Sequence, residues 1–226
     1  MKQVLKKTHK FVIVAIDVVI FAIKDGILQV LLIKPKQPVF KKSWALPGGM
    51  VMPKESVDDA VKRHLFQKAG VSNVHLEQLY TFGSVNRDPF GRVVSVAHFA
   101  LIPPDKRINL KTTEAYADIK WLRADNLPSL AYDHKEIIMT ALERLRSKLA
   151  YTNIVYSLLP EQFTMSQMQQ VYEVILDRKL DKRNFQKKIK VLNLIKKVGR
   201  QKRGEPNRPA ELFTFISKKS QTVDVL

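Results

Sequence analysis

Residues 49–71, which read GMVMPKESVDDAVKRHLFQKAGV, constrain the fold more than any other part of the chain. A glycine-containing turn, WALPGG, ends at Gly49, and apolar side chains then recur at helical spacing. This spacing predicts a helix over residues 55–68. Because residues three and four positions apart share one face of a helix, positions 64, 67 and 68 are expected to lie together.

The spacing of this segment resembles the Nudix box. The positions that agree with the box are Gly49, Glu55, Arg63, Leu65, Gly70 and Val71. The box has glutamates at the positions equivalent to 64, 67 and 68, where they bind Mg²⁺, a cation that needs oxygen ligands, and activate water. This chain has His64, Gln67 and Lys68 instead. The resemblance therefore implies a Nudix fold with no catalytic residues, no metal site and no hydrolase activity by the usual route.

Glu55 and Arg63 have two readings. Either they contact a ligand bound to the Nudix domain, or they form an ion pair that holds the preceding loop against the helix. We expect the ion pair rather than a catalytic role. A hydrolase with unusual metal ligands stays open as an alternative function.

The N-terminal part of the chain alternates strands and turns around this helix. Residues 11–23 and 27–33 are rich in Val, Ile and Leu and flank Lys24-Asp25-Gly26, which predicts a hairpin. Residues 11–23 are too short to span a bilayer and contain Asp17, so we expect a buried strand and no membrane association. Further strands are predicted at 78–85, 93–102 and 119–122. A helix capped by Asp133 should run to about residue 149. This pattern predicts an α/β or α+β domain with a mixed sheet over residues 1–149.

The pattern changes in residues 150–226. Helices are predicted over 151–159, over 165–176 with Thr164 or Ser166 as cap, and from 182 to about 196 with Asp181 as cap. Two strands around a basic loop with Gly and Pro follow. Three helices and a basic β-ribbon are the layout of a winged helix-turn-helix DNA-binding domain.

A formal net charge of +18 favours a polyanionic partner. The third predicted helix begins with groups suited to base edges, namely Arg183, Asn184 and Gln186. Groups suited to phosphates accompany them, namely Lys182, Lys187 and Lys188. The predicted wing adds Arg200, Lys202, Arg203 and Arg208. RNA is the weaker alternative, because the aromatic residues here fall mostly at core spacings.

Candidate ligand contacts lie in the N-terminal part. Arg87 and Arg92 lie in or beside an RDP turn and suit a diphosphate, while Asp88 suits a ribose hydroxyl. A simple stable turn is the alternative reading of Asp88-Pro89. Trp44 and Phe82 offer faces for an adenine, although such residues are more often core. His98, in an apolar strand, is expected to be a core histidine.

The segment LYTFGSVNRDPFGRVVSVAHFAL and the C-terminal motifs LPEQFTMSQMQQVYEVIL and LDKRNFQKKI resemble the NrtR family of Nudix-related transcriptional regulators. The resemblance covers about residues 11–216. It implies a homodimer that represses NAD-metabolism genes by binding double-stranded operator DNA, and that senses ADP-ribose or a related small-molecule effector. A sugar-responsive regulator of the same architecture is an alternative. No cofactor is implied. The absence of cysteine is compatible with a reducing, cytoplasmic location.

Overall fold

The computed structural model describes residues 11–106, 108, 110, 116–200, 209–223 and 225. Over this part of the chain, no helix combines the length and apolar character needed to cross a bilayer. The wing residues Lys202, Arg203 and Arg208 lie outside the described residues.

Two long strands, β1 (Ile13–Lys24) and β2 (Ile27–Pro35), form the predicted antiparallel hairpin. Asp25 and Gly26 have φ values of 52° and 71° in the turn between them. Positive φ at both turn positions matches the right-handed twist of the strands, and it explains the Asp-Gly sequence. The predicted hairpin is confirmed.

The main sheet also contains β3 (Gly48–Met50), β4 (His75–Phe82), β5 (Val93–Ile102) and β6 (Tyr116–Arg123). The strand order is β4-β5-β1-β2-β6, and β3 pairs with the first half of β1. Because β1 and β5 are parallel while the other pairs are antiparallel, the sheet is mixed, as predicted. The fourth strand was predicted at 78–85 but begins three residues earlier.

Helix α1 (Val57–Ala69) covers one face of this sheet. The Ser56 hydroxyl accepts a hydrogen bond from the Asp59 amide at 3.1 Å, so the helix begins two residues after the predicted start. It ends at Gly70, whose φ of 63° is the left-handed conformation typical of a helix end. Ala60, Val61 and Leu65 are buried against Ile16, Val18 and Ile20 of β1.

Helix α2 (His134–Tyr151) packs against the other face, where it buries Ile137, Ala141 and Leu145. It begins where predicted, but the prediction that the Asp133 side chain caps it is wrong, because that carboxylate binds Arg87 instead. The predicted short helix at 151–159 is also replaced. Helix α2 continues through Tyr151, and a 3-10 turn (Ile154–Leu158) follows.

The C-terminal part contains β7 (Phe163–Thr164), α3 (Met165–Leu176), α4 (Lys182–Val191), β8 (Ile195–Arg200) and β9 (Glu211–Phe215). Thr164 and Gln167 form a reciprocal capping box at the start of α3. Helix α4 ends five residues before the predicted position, since Asn193 has a φ of 49°, which interrupts the helix before β8. The three strands form an antiparallel sheet in the order β7-β9-β8, which completes a winged helix-turn-helix.

One apolar cluster connects the two parts of the chain. It runs from Phe21 and Phe99 in the main sheet, through α2, to Phe163 and Tyr172 around α3. The Arg146 guanidinium of α2 also donates a hydrogen bond from Nε to the Ile175 carbonyl near the end of α3, at 2.8 Å. The first part of the fold is therefore joined to the second through α2 and α3.

Candidate ligand cleft and nucleic-acid interface

A cleft of about 320 Å³ opens beside the first half of β1 and next to β3. Its size is at the lower end of small-molecule sites, which span roughly 300–1,000 Å³. Its walls combine apolar strand residues with polar and aromatic groups, namely Asp17, Arg87, Asp88, Tyr116, Tyr132 and His134. Such a mixture suits a ligand with hydroxyl, phosphate or aromatic groups.

A buried ionic network forms the floor of the cleft. Arg87 donates to both oxygens of Asp133, from Nε at 2.8 Å and from Nη2 at 2.7 Å, and Nη2 is also 3.1 Å from Asp17 Oδ2. The Ser95 hydroxyl donates to the same Asp17 oxygen at 2.7 Å. Burial alone would raise the pKa of Asp17, but the interactions with His134, Ser95 and Arg87 lower it to about 2. Asp17 is therefore ionised at neutral pH.

His134 connects this network to the loop before β3. The Leu46 amide donates to His134 Nδ1 at 2.9 Å, so that nitrogen is an acceptor. The other ring nitrogen, Nε2, lies 3.3 Å from Asp17 Oδ1. Beside it, burial and the charges of Asp88 and Asp17 raise the pKa of Tyr132 to about 12, so its hydroxyl stays protonated and can donate to a ligand.

The ligand residues predicted from the sequence are only partly assembled. Within the described residues, Arg87 and Asp88 line the cleft, while the other five do not. Phe82 is buried in the core, and Trp44 is half-buried against it. Arg92 is exposed and donates to the Ser84 carbonyl at 3.1 Å.

Glu55 and Arg63 form the expected ion pair beside the cleft. The Arg63 guanidinium donates to both Glu55 oxygens, at 2.6 Å and 2.7 Å. Arg63 Nη2 donates to the Met50 carbonyl at 3.2 Å, and Glu55 Oε2 accepts from the Met52 amide at 3.1 Å. These bonds hold the loop between β3 and α1, as predicted. The hydrogen bonds from Arg63 hold the pKa of Glu55 at about 2.

The helix positions that carry metal ligands in the Nudix box have no carboxylate here. Burial lowers the pKa of His64 to about 4, and the neighbouring Arg63 and Lys68 charges add to the effect, so the ring is neutral. Lys68 is 5% exposed, and burial, followed by the Arg63 charge, lowers its pKa to about 8. Gln67 points to solvent. These three side chains do not fit Mg²⁺, which requires several oxygen ligands.

A larger cavity, of about 650 Å³, is lined by residues of α1, β4 and β5, among them Lys62, Phe66 and His98. His98 is 3% exposed, as expected for a core histidine, and its Nδ1 lies 3.0 Å from the Val96 carbonyl. Arg63 borders this cavity rather than the cleft.

Helix α4 presents the predicted basic surface. Phe185 and Ile189 are buried, and Phe185 packs edge-on against Tyr172, with ring centres 5.2 Å apart. The exposed face carries Lys182, Arg183, Asn184 and Lys187, with Gln186 and Lys188 half-buried. Asp181 Oδ1 accepts from the Asn184 amide at 2.8 Å and caps the helix. At the end of β8, Arg200 is exposed.

The turn between α3 and α4 is held by two side chains of α3. Glu173 Oε1 accepts from the Leu180 amide at 3.0 Å, and Gln169 Nε2 donates to the Leu180 carbonyl at 3.0 Å. Lys179 Nζ donates to Glu173 Oε2 at 3.0 Å. The Leu180 hydrogen bond, together with those from Gln169 and Lys179, lowers the pKa of Glu173 to about 2. These contacts connect the turn before α4 to α3.

Sequence reasoning missed several of the cleft residues. In the sequence, Asp17 differs from its neighbours only as a charged residue within an apolar run, and the local pattern does not assign Tyr116, Tyr132 or His134 to a site. The available signal was a charged residue in a strand that is otherwise apolar, since a buried carboxylate needs partners elsewhere in the fold.

Comparison with known families agrees with both parts of the fold. A NUDIX domain model matches residues 13–141, and a model of the NrtR DNA-binding winged helix domain matches residues 155–215. A relative from Acinetobacter baylyi, the ADPR responsive transcriptional repressor NtrR, is 31% identical over 217 residues, which cover 94% of this chain and 86% of the relative.

Two solved structures extend the similarity. Shewanella oneidensis NrtR complexed with a 27mer DNA superposes with a TM-score of 0.76 at 31% identity, covering 89% of this chain and 93% of that one. The NUDIX domain of the same protein complexed with ADP ribose gives a TM-score of 0.55 at 33% identity, covering 62% and 92%. Sequence, domain order and fold thus agree over most of the molecule, and the chain belongs to the NrtR family of Nudix and winged-helix proteins.

Proposed function

We propose that this protein is a transcriptional repressor that binds operator DNA through α4 and the wing and is released when ADP-ribose binds the Nudix cleft. The exposed basic face of α4, opposite buried Phe185 and Ile189, is the observation that carries the proposal. It lies in the same chain as a cleft whose polar groups suit a nucleotide sugar. In this assignment residues 1–149 sense the ligand and residues 150–226 bind DNA.

The proposed DNA contacts divide by chemistry. Arg183, Asn184 and Gln186 would read base edges from the first turns of α4. Phosphate contacts come from the lysines of the helix and from the wing, namely Lys182, Lys187, Lys188, Arg200, Lys202, Arg203 and Arg208. A solved relative complexed with DNA supports this class of partner.

ADP-ribose is the proposed effector. A relative is named for its response to ADPR, and the Nudix domain of another was solved with ADP ribose. In this chain Asp88 and Tyr132 line the cleft, where a carboxylate and a phenol suit ribose hydroxyls. A sugar effector is the second candidate, since the same hydroxyl-binding groups suit either class.

We propose further that the Nudix domain does not hydrolyse its ligand. His64 and Lys68 supply no oxygen ligand for Mg²⁺, and Gln67 supplies only an amide oxygen. Release of AMP from ADP-ribose in the presence of Mg²⁺, measured by chromatography, is expected to stay at the buffer background. Turnover that depends on Mg²⁺ and is abolished by Glu55→Gln would contradict this proposal and would indicate that the Nudix domain is a hydrolase.

A homodimer is proposed as the active form. The start of the main sheet exposes apolar side chains at Phe11, Ile13, Val14 and Met50. An apolar patch of this kind marks an interaction surface, and a two-fold dimer matches a palindromic operator. Light scattering is expected to give twice the mass of the chain.

The regulated genes are proposed to belong to NAD metabolism, in the cytoplasm. The test is to select fragments of the source genome on the purified protein at physiological salt, with and without ADP-ribose. We expect one enriched palindrome near NAD-metabolism genes that disappears with ADP-ribose. Enrichment that is the same with and without ADP-ribose would exclude this effector and favour a sugar. If no sequence is enriched, the proposal that the protein is a repressor is contradicted.

A further inference from the structure

Lys68 is a buried cation that has no counter-ion among the described residues. Its ammonium faces the Tyr116 ring, 3.8 Å from the ring centre, and no described residue forms an ion pair or hydrogen bond with it. The neighbouring guanidinium of Arg63 is neutralised by Glu55, and that of Arg87 by two carboxylates. Because burying an unpaired charge is unfavourable, a lysine in this position is expected to have a role that offsets the cost.

The ring that Lys68 contacts forms part of the ligand cleft. Tyr116 lines the cleft, and so does Gly49, on the strand that α1 packs against. The His64 ring, one turn before Lys68 on α1, touches Gly49 so closely that an added Cβ would come 2.5 Å from its Cε1 atom. The Tyr116 ring therefore contacts Lys68 Nζ and also lines the cleft.

Lys68 also occupies a position where the Nudix box has a metal-binding glutamate. A divalent cation held there would neutralise a bound diphosphate. The residues of this chain do not fit such a cation, since His64 is neutral and Lys68 is itself positive. The same location nevertheless presents a positive charge, carried by the protein.

We propose that Lys68 takes the place of the divalent cation and binds the diphosphate of the effector, so that effector binding needs no metal. The ligand class is a nucleoside diphosphate sugar or another diphosphate ester. Binding requires the Tyr116 ring to move from Nζ, which then exchanges a cation–π contact for a charge-assisted hydrogen bond. This inference rests on the proposed ligand-sensing function of the cleft.

The test is calorimetric titration of the full-length protein with ADP-ribose and, separately, with inorganic pyrophosphate, in EDTA and in MgCl₂. Wild type should bind ADP-ribose with the same affinity, within about 2-fold, in both buffers. Lys68→Gln and Lys68→Met should weaken binding by about 10-fold or more, as expected for loss of a charge-assisted hydrogen bond. Lys62→Gln, an exposed lysine on the same helix, is the matched control and should change affinity less than about 2-fold.

A melting curve separates the binding role from a structural one. Because both variants remove a buried charge that no described residue neutralises, their melting temperatures should equal or exceed that of wild type. Unchanged affinity in the folded variants, or wild-type binding that is lost in EDTA, would overturn the proposal. So would wild type that binds neither ligand. If wild type binds pyrophosphate, the Lys68 variants bind it more weakly and wild type does not bind ADP-ribose, the diphosphate site at Lys68 is supported. In that case the proposal that ADP-ribose is the effector is wrong.

Discussion

Arg87 and Asp133, 46 positions apart in the chain, form a two-point ion pair at 2.8 Å and 2.7 Å that fastens the loop after β4 to the start of α2. Both groups belong to the network under the ligand cleft. Helix α2 has 18 residues and so spans about 27 Å, from this pair to the winged helix. A ligand that changes the Arg87–Asp133 contact can thus shift one end of a rigid element whose other end positions α3.

Asp17 is the central carboxylate of the buried network. Asp17→Asn should lower the free energy of unfolding at neutral pH by about 2 kcal/mol, because the Arg87 charge stays buried with Asp133 as its one remaining carboxylate partner. Urea denaturation followed by circular dichroism measures the change. Asp125→Asn breaks an exposed pair with Arg123, with side chains 59% and 52% exposed, and should cost less than about 1 kcal/mol. Equal losses in the two variants would contradict the network.

The pKa of Asp17 predicts a specific acid sensitivity. The folded value of about 2 is below the ordinary 3.8, so ionised Asp17 stabilises the fold above about pH 4, and this contribution is lost as the pH falls towards 2. The contribution amounts to about 2 kcal/mol. The stability difference between wild type and Asp17→Asn should therefore narrow in acid, as measured by urea denaturation at several pH values. A difference that stays constant down to pH 2 would argue against ionised Asp17 as the stabilising form.

The sequence pattern predicts the first and last residues of some helices and strands correctly and those of others incorrectly. Strand β5 and helix α3 have the predicted bounds, because an apolar run in one and a cap at Thr164 in the other are local signals. Helix α4 was predicted too long, since Leu192 and Ile195 continue the apolar spacing while the backbone at Asn193 does not continue the helix. Backbone conformation at one asparagine is not encoded in apolar spacing.

The ligand cleft was harder to predict than the DNA-binding surface. The basic residues of α4 lie within one helix, so the sequence already places them together. Asp17 and Arg87 are 70 positions apart, and only the parallel pairing of β1 with β5 brings their segments together. Sheet register of this kind depends on tertiary packing, which no local pattern specifies.

Substitutions on α4 should separate base contacts from phosphate contacts. Arg183→Ala should weaken operator binding by about 10–100-fold and relax sequence preference, as expected for loss of a base contact. Lys187→Ala should weaken binding to all DNA sequences alike. It should also reduce by about 1 the slope of the logarithm of the binding constant against the logarithm of the salt concentration. Fluorescence anisotropy of labelled operator measures both, with Lys120→Ala, on β6, as the control. If neither variant differs from this control, α4 is not the recognition helix.

The turn between α3 and α4 should matter for DNA binding without touching DNA. Glu173→Gln weakens the contacts to Leu180 and Lys179, so the melting temperature should fall by about 2–4 °C and operator affinity should fall with it. Differential scanning calorimetry and anisotropy give the two values. Glu161→Gln alters an exposed residue that pairs with Lys218 and should change neither. Operator affinity unchanged in Glu173→Gln would show that the turn does not position α4.

The hydrogen bond from Arg146 to the Ile175 carbonyl should carry part of the coupling between the domains. Arg146→Ala should keep operator affinity within about 3-fold of wild type, yet reduce the effect of ADP-ribose on it by roughly 10-fold, or about 1.4 kcal/mol of coupling. Arg144→Ala, on the same helix but facing Glu77 of β4, is the control. An unchanged ADP-ribose effect in Arg146→Ala would exclude this contact as a route of coupling.

Titration of ADP-ribose into a preformed complex of wild type with its selected operator tests most directly whether one chain binds both operator DNA and a nucleotide sugar. The titration is carried out in EDTA. Fluorescence anisotropy of the labelled operator should fall to the value of free DNA as ADP-ribose saturates the protein, while adenosine at the same concentration leaves it high. Anisotropy that stays high at saturating ADP-ribose, under conditions where calorimetry shows the ligand bound, would contradict the account.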